Sequence, residues 1–377
     1  MREDGIISLQ QLTALSIMYL IGRSTLTFPI GPAAQDIWLT IIFGALLAGL
    51  MMWFWISLGL RFENTNPVVY TRITLGNFLG TLLIVLYLLF LLQLTAGVLR
   101  NICELYVTSI MPATPIIVFA GITAFLAALA ARGGLENIAR LAELILPWHI
   151  GNMLLLTVFV LATPGLPHPE YLFPVFGSGW INILRSTLIH FAFPFMEASA
   201  LVFTLPFLNH PRNCKKSIYT AMAIVTLILV LTNIRNIMVL GPQGISRVNF
   251  PFLTTIQLVD IGAFLERVDP IAIFIWTLGT FVKLSFLVYV ISIGWASLFA
   301  LADYRPLVFP ISLLTATVSI ILYENYAQMK DFYLTTYPFY SLPFQVLGPL
   351  LVLTIAKIRG LSGDNIYKGK KKDRGQV

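Results

Sequence analysis

Charge is what this sequence has least of. Only 11% of its 377 residues are Asp, Glu, Lys or Arg, against roughly 25% in an ordinary soluble domain. Hydrophobic residues make up 58%. A soluble fold of this length would be unable to hide so much apolar surface, whereas lipid can face it. The length gives room for about ten spans of about 20 residues with short connections, and none for a sizeable extramembrane domain. Cysteine and histidine are almost as scarce. Cys103 and Cys214 fall on opposite sides of the membrane in the topology derived below, which excludes a disulfide. His149, His168, His190 and His210 are scattered without metal-ligand spacing, so neither a metal nor a cofactor is expected. The G-x-S-x-G, H-E-x-x-H and P-loop patterns are missing, and no enzyme is expected. No small-residue cleavage pattern ends the first apolar run, which reads as a retained span.

What the sequence does have is ten apolar segments. They run roughly over Leu9–Ala33, Trp38–Leu60, Phe78–Leu99, Pro115–Ala131, Leu141–Ala162, Ile181–Phe207, Ser217–Leu240, Pro270–Ala300, Pro306–Leu322 and Tyr337–Ile358. The reading is a single all-α transmembrane domain over 1–358, followed by a basic cytoplasmic tail, 359–377. The net charge of +7 would suit nucleic acid, but its distribution does not. With the N-terminus inside, 16 of the 24 Lys and Arg residues lie in inner loops, five in outer loops and three within spans. This is the positive-inside bias, and it puts both termini in the cytoplasm. The Lys368–Arg374 run then reads as a solvated stop beside anionic lipid.

Two spans are interrupted. The first contains Ile21-Gly22-Arg23-Ser24-Thr25-Leu26-Thr27-Phe28-Pro29-Ile30-Gly31-Pro32, and the sixth contains Phe191-Ala192-Phe193-Pro194-Phe195-Met196-Glu197. Glycine, proline and hydroxyls at this density disfavour a continuous lipid-facing helix. Backbone freed inside a membrane must be buried in protein or line a cavity. The interruptions lie about half a chain apart, the pattern of a 5+5 inverted repeat with broken helices 1 and 6. The repeats would be about 8–162 and 181–358. A half-helix N-terminus at such a break attracts an anionic group, and the opposite half-helix ends in carbonyls that suit an ammonium or a cation. The plainer reading is a pair of proline kinks.

Three charges lie near mid-depth, where each costs about 2.5–3.5 kcal/mol and needs a partner or a task. Arg23 sits in the first break, Glu197 in the second, and Lys283 deep in the eighth span. Arg23 and Glu197 are placed to pair; otherwise Arg23 is free to face an anionic ligand. Lys283 is placed where ion-coupled relatives of such a fold bind a cation, which predicts no sodium requirement. Alternatively it is satisfied by carbonyls of the first break. Arg235 is expected at the outer interface.

Between the seventh and eighth spans the chain reads Asn249-Phe250-Pro251, then Gly262-Ala263-Phe264-Leu265-Glu266-Arg267-Val268-Asp269-Pro270, then Trp276. This resembles the B subunit of GerA-type nutrient germinant receptors, the spore germination permease family. Gly134–Glu143, Met196-Glu197, Pro67 with Gly76, and Asp303-Tyr304-Arg305 are similar to its other motifs. The resemblance implies ten spans in the LeuT-like fold of the amino acid–polyamine–organocation superfamily. It implies the inner membrane of a spore, a receptor A subunit and a lipoprotein C subunit as partners, and a small nutrient, typically an amino acid, as ligand. It also implies a site among spans one, three, six and eight, carried here by Gly22, Phe90, Pro194 and Lys283. With the residues of the two breaks, the candidate ligand site is Gly22, Arg23, Ser24, Thr25, Phe90, Phe193, Pro194, Glu197 and Lys283. One departure matters: relatives place two glycines around one small residue at the first break, where this chain has Gly22-Arg23-Ser24. That predicts a narrower pocket, or one that favours an acid without an amine. A receptor subunit and an amino acid permease working by alternating access need the same pocket, and a scaffold with a dead pocket is the third possibility.

Overall fold

The computed structural model describes residues 5–63, 65–259 and 269–363. The Phe264–Val268 part of the family string and the Lys368–Arg374 run lie outside the described residues. Each predicted apolar segment contains helix. In chain order these are α1 (Leu9–Ser24), α2 (Ile37–Arg61), α3 (Pro67–Leu75), α4 (Asn77–Ser109), α5 (Ile116–Arg132), α6 (Leu135–Ala162), α7 (Trp180–Ala192), α8 (Cys214–Arg247), α9 (Pro251–Gln257), α10 (Asp269–Leu298) and α11 (Arg305–Ile321). A last compound helix joins α12 (Tyr326–Asp331), α13 (Tyr337–Leu342) and α14 (Gly348–Ile358) through two π turns. Among the described residues, seven helical stretches are long and apolar enough to cross a bilayer, and α5 and α11 are apolar but shorter. The chain is a multi-pass helical membrane protein.

Local chemistry explains the boundaries. Ser8 and Gln11 form a reciprocal capping box, with Ser8 Oγ accepting from the Gln11 N–H at 3.1 Å and Gln11 Oε1 accepting from the Ser8 N–H at 2.9 Å. Two orphan donors are thereby satisfied and α1 begins at Leu9. α3 lies in what the sequence reads as a loop. Asn66 caps it by accepting from the Val68 N–H at 2.9 Å, and Pro67 occupies its first turn, where no donor is missed. The seventh span ends where the sequence places it: after Leu240 the backbone leaves helical geometry at Gly241, with φ 68° and ψ 167°, and Pro242 opens the helical segment that runs on to Arg247.

The packing puts the interrupted elements at the centre. α10 packs against α1, α4, α5 and α6, and α1 also packs against α8. From Val282 to Gly294 every α10 residue is buried, so this helix has no lipid face over that stretch. The chain ends sort onto two sides. Ile7 donates to the Phe207 carbonyl at 2.9 Å, Arg212 pairs with Glu63, and Arg61 Nε donates to the Leu361 carbonyl at 2.6 Å on one side. On the other, the His168 N–H donates to the Met238 carbonyl at 2.7 Å, and Asp36 accepts from the Phe176 N–H at 2.8 Å. These contacts group the N-terminal, 61–63, 207–212 and 361 segments, predicted to be cytoplasmic, and separately the 36, 168–176 and 238 segments, predicted to be external.

Candidate functional site

The first interruption starts later than the sequence suggests. Gly22 and Arg23 still belong to α1, and the chain leaves helical form only from Thr25 to Ala33. The reason is packing. A methyl group on Gly22 would collide with the Gly279 carbonyl oxygen and lie 2.8 Å from its carbonyl carbon. The glycine is there to let two helix backbones touch. Thr280 Oγ1 then donates to the Gly22 carbonyl at 2.5 Å, and Trp276 Nε1 donates to the Arg23 carbonyl at 3.4 Å. Carbonyls freed at the end of α1 are taken up by α10.

The second interruption follows α7. Phe193 is extended, with φ −130° and ψ 126°, Pro194 follows through a cis peptide, and residues Phe195–Phe207 wind as a 3₁₀ helix. Proline has no N–H to continue the α7 ladder. His190, in the last turn of α7, binds the two interruptions together: Nε2 lies 3.1 Å from the Pro29 carbonyl and Nδ1 lies 2.9 Å from Thr40 Oγ1. Its ring packs on Phe28 at 4.6 Å. Tyr19 closes the other side by donating to the Glu197 carbonyl at 3.0 Å.

The buried charges do not pair as Arg23 with Glu197. Lys283 Nζ donates to Glu197 Oε2, and Tyr337 Oη donates to Glu197 Oε1 at 3.2 Å. Both charged side chains are fully buried, and the ammonium lies 4.7 Å from the Tyr19 ring centroid. α10 carries Lys283 to the level of the second interruption, so a compact ammonium reaches the carboxylate first. Nor does Lys283 rest on carbonyls of the first break. Arg235 is likewise buried within the bundle: its guanidinium reaches Thr157 Oγ1 at 3.1 Å and Asn236 Oδ1 at 3.0 Å and covers the Phe252 ring at 4.9 Å.

Arg23 turns the other way and is 2% exposed. Its guanidinium is sandwiched between Tyr333, 4.0 Å from the ring centroid, and Phe193, 4.7 Å away. With the Asn101 amide oriented to satisfy both neighbours, its oxygen accepts from Arg23 Nε and Nη2 at 3.0 Å and its nitrogen donates to Thr27 Oγ1 at 3.2 Å. Arg23 Nη1 has no hydrogen-bond partner. A cavity of about 30 Å³ adjoins the guanidinium, lined by Thr27, Asn101, Phe193, Met329 and Tyr333, with Asn249 and Lys330 on its more exposed side. By volume it holds about one or two water molecules.

Gly22, Arg23, Phe193, Pro194, Glu197 and Lys283 therefore converge on one junction. Ser24 and Thr25 reach it only as backbone, since their hydroxyls donate back to the Leu20 and Ile21 carbonyls at 2.6 and 3.3 Å. Phe90 stands apart. It stacks on Phe344 at 4.8 Å and meets the junction through Tyr337, at 6.4 Å, and Tyr87, at 6.2 Å. Tyr19, Asn101, His190, Tyr333 and Tyr337 escaped the sequence reading. Two signals for them exist: a polar Asn101 two residues past the third apolar run, where α4 continues, and Tyr326, Tyr333, Tyr337 and Tyr340 recurring at helical spacing.

Comparison with known proteins adds relatives to this geometry. Residues 6–328 match the model of a family described as "Spore germination protein". Spore germination protein KB of Bacillus subtilis (strain 168) is 30% identical over 99% of this chain and 98% of its own length. Spore germination protein B2 of the same organism is 24% identical over 95% and 94%. Among solved structures, Mhp1, a nucleobase-cation-symport-1 family transporter, superposes with a TM-score of 0.62 at 13% identity, over 92% of this chain and 78% of that one. MhsT, solved in complex with L-phenylalanine, gives 0.60 at 11% identity over 94% and 99%. These structural matches establish the LeuT-like fold and nothing finer.

Proposed function

The chain belongs to the spore germination protein family, and on that premise we propose that it is the B-type membrane subunit of a nutrient germinant receptor. It would reside in the inner membrane of the spore with both termini in the cytoplasm. A larger A subunit and a lipoprotein C subunit would be its partners, as the family resemblance implies. The observation that carries the reading is the junction itself, where two interrupted helices meet around three buried charges, one of them with a free donor.

The proposed cycle is a population shift. A small nutrient binds at the junction between two fixed anchors, Arg23 and the Lys283–Glu197 pair. Binding favours one arrangement of the bundle only by its differential affinity for the two states. The partners then read that arrangement. The cavity beside Arg23 is too small for a whole amino acid, so admission requires its walls to move, which is the coupling a receptor needs. Gly22, Phe193 and Pro194 shape the junction, and Phe90 acts through Tyr337. The ammonium of Lys283 already occupies Glu197, among the described residues the one carboxylate at the junction, which a metal cation would need. The germination response is expected to be unchanged when potassium or choline replaces sodium at fixed ionic strength.

The test is a deletion strain challenged with a panel of amino acids, sugars and organic acids. Loss of the response to one nutrient, restored by the wild-type gene, supports the receptor. An unchanged response to the whole panel contradicts it. The shared fold with symporters favours one rival, an amino acid permease. Net accumulation of labelled nutrient in vesicles containing this chain alone would support that rival.

A further inference from the structure

We infer that the cavity beside Arg23 is a binding site for the carboxylate of a small organic acid, and that it has no complementary group for an ammonium. The inference rests on the nutrient-receptor reading and names the ligand chemistry. Its first support is the charge inventory. Lys283 and Glu197 neutralise each other directly, which leaves Arg23 as an uncompensated cation. No Asp or Glu lines the cavity among the described residues, and its more exposed side adds a second cation, Lys330. Such a cavity attracts an anion and repels an ammonium.

The second support is hydrogen bonding. A buried guanidinium normally uses its donors, because an unmet polar group in a membrane interior is costly. Here Asn101 takes Nε and Nη2, the rings of Tyr333 and Phe193 cover the two faces, and Nη1 is left without a partner. The side chain is held by three neighbours while one edge stays available. A carboxylate meets that edge with a charge-assisted bond that is short and strong. Its negative charge balances the buried guanidinium of Arg23, with Lys330 on the more exposed side. A phosphate dianion would place a second negative charge against one buried cation in a low-dielectric site. The amine of an amino acid would have to sit against Arg23 or Lys330. An α-hydroxy or α-keto acid avoids that repulsion.

The experiment is thermal unfolding of the full chain in lipid nanodiscs, titrated with L-lactate, L-lactamide, inorganic phosphate and L-alanine at constant ionic strength. L-Lactate is expected to raise the melting temperature saturably. L-Lactamide, isosteric but uncharged, should not, and L-alanine should act at least several-fold more weakly. Arg23→Gln should weaken lactate binding by about ten- to hundred-fold, the worth of one charged hydrogen bond. Arg23→Lys should restore part of it. Asn249→Asp, an isosteric change on the exposed side, adds a negative charge without touching Arg23 and should weaken binding several-fold even if Arg23→Gln does not fold. Equal stabilisation by lactamide, a response to phosphate alone, equal binding of alanine, or indifference to Asn249→Asp would each overturn the site. So would the absence of a shift with every probe. A neutral nutrient that triggers germination through this chain would overturn the carboxylate site and leave the receptor reading standing.

Discussion

At the scale of single residues, the junction is governed by which cation reaches Glu197. Lys283 and Glu197 are fully buried and bonded to each other, so neither can be lost alone without stranding a charge. Lys283→Met and Glu197→Gln should each destabilise the protein by about 3–5 kcal/mol. The double variant should cost clearly less than the sum, since it strands nothing. Arg23→Ala and Glu197→Ala should by contrast combine nearly additively, because Arg23 is bonded to Asn101 and stacked between Phe193 and Tyr333. Denaturation of these six variants and the wild type in one detergent measures both cycles. That three charges lie inside the bundle was legible from sequence, because a charge within an apolar run is conspicuous. Their pairing was not. It depends on the rotation of α1 about its axis and on the depth at which α10 crosses it, and neither is encoded in hydropathy.

At the scale of elements, the contact between α1 and α10 decides the geometry of the first interruption. Gly22→Ala places a methyl against the Gly279 carbonyl and should cost about 1–3 kcal/mol through overpacking. Gly121→Ala in α5 meets nothing within 4 Å and should be neutral or stabilising by up to about 1 kcal/mol. Melting temperatures of the two alanine variants separate a packing role at Gly22 from a generic effect of removing glycine. Composition placed the interruptions well, since Pro29, Pro32 and Pro194 leave few helical options. It misjudged the onset of the first by several residues, because a glycine inside a helix at a close crossing looks the same in sequence as a glycine that ends one. The hydroxyls of Ser24 and Thr25 were misleading for a similar reason: back-bonding to their own helix satisfies them locally.

At the scale of the whole molecule, the alternation of helices and the grouping of loop ends predict a definite sidedness. Both native cysteines are buried, so they give a quiet background for labelling. Glu170→Cys, on the loop before α7, should react with an impermeant maleimide from outside. Lys216→Cys, exposed at the start of α8, should react only after the membrane is opened. The reverse pattern would invert the topology. The number of apolar segments and the basic bias of alternate loops could be read directly from the chain. The convergence of the two interrupted spans could be argued from their matched positions, but no local signal brings residue 23 beside residue 333. The central claim is that a nutrient acts by binding at this junction. The most direct measurement is the rate at which a thiol reagent modifies Asn249→Cys, beside the Arg23 cavity, in membranes of a strain that germinates through this chain. The nutrient that triggers germination should slow the reaction, with half-protection near its germination midpoint. An unchanged rate at a fully effective nutrient concentration would contradict the account.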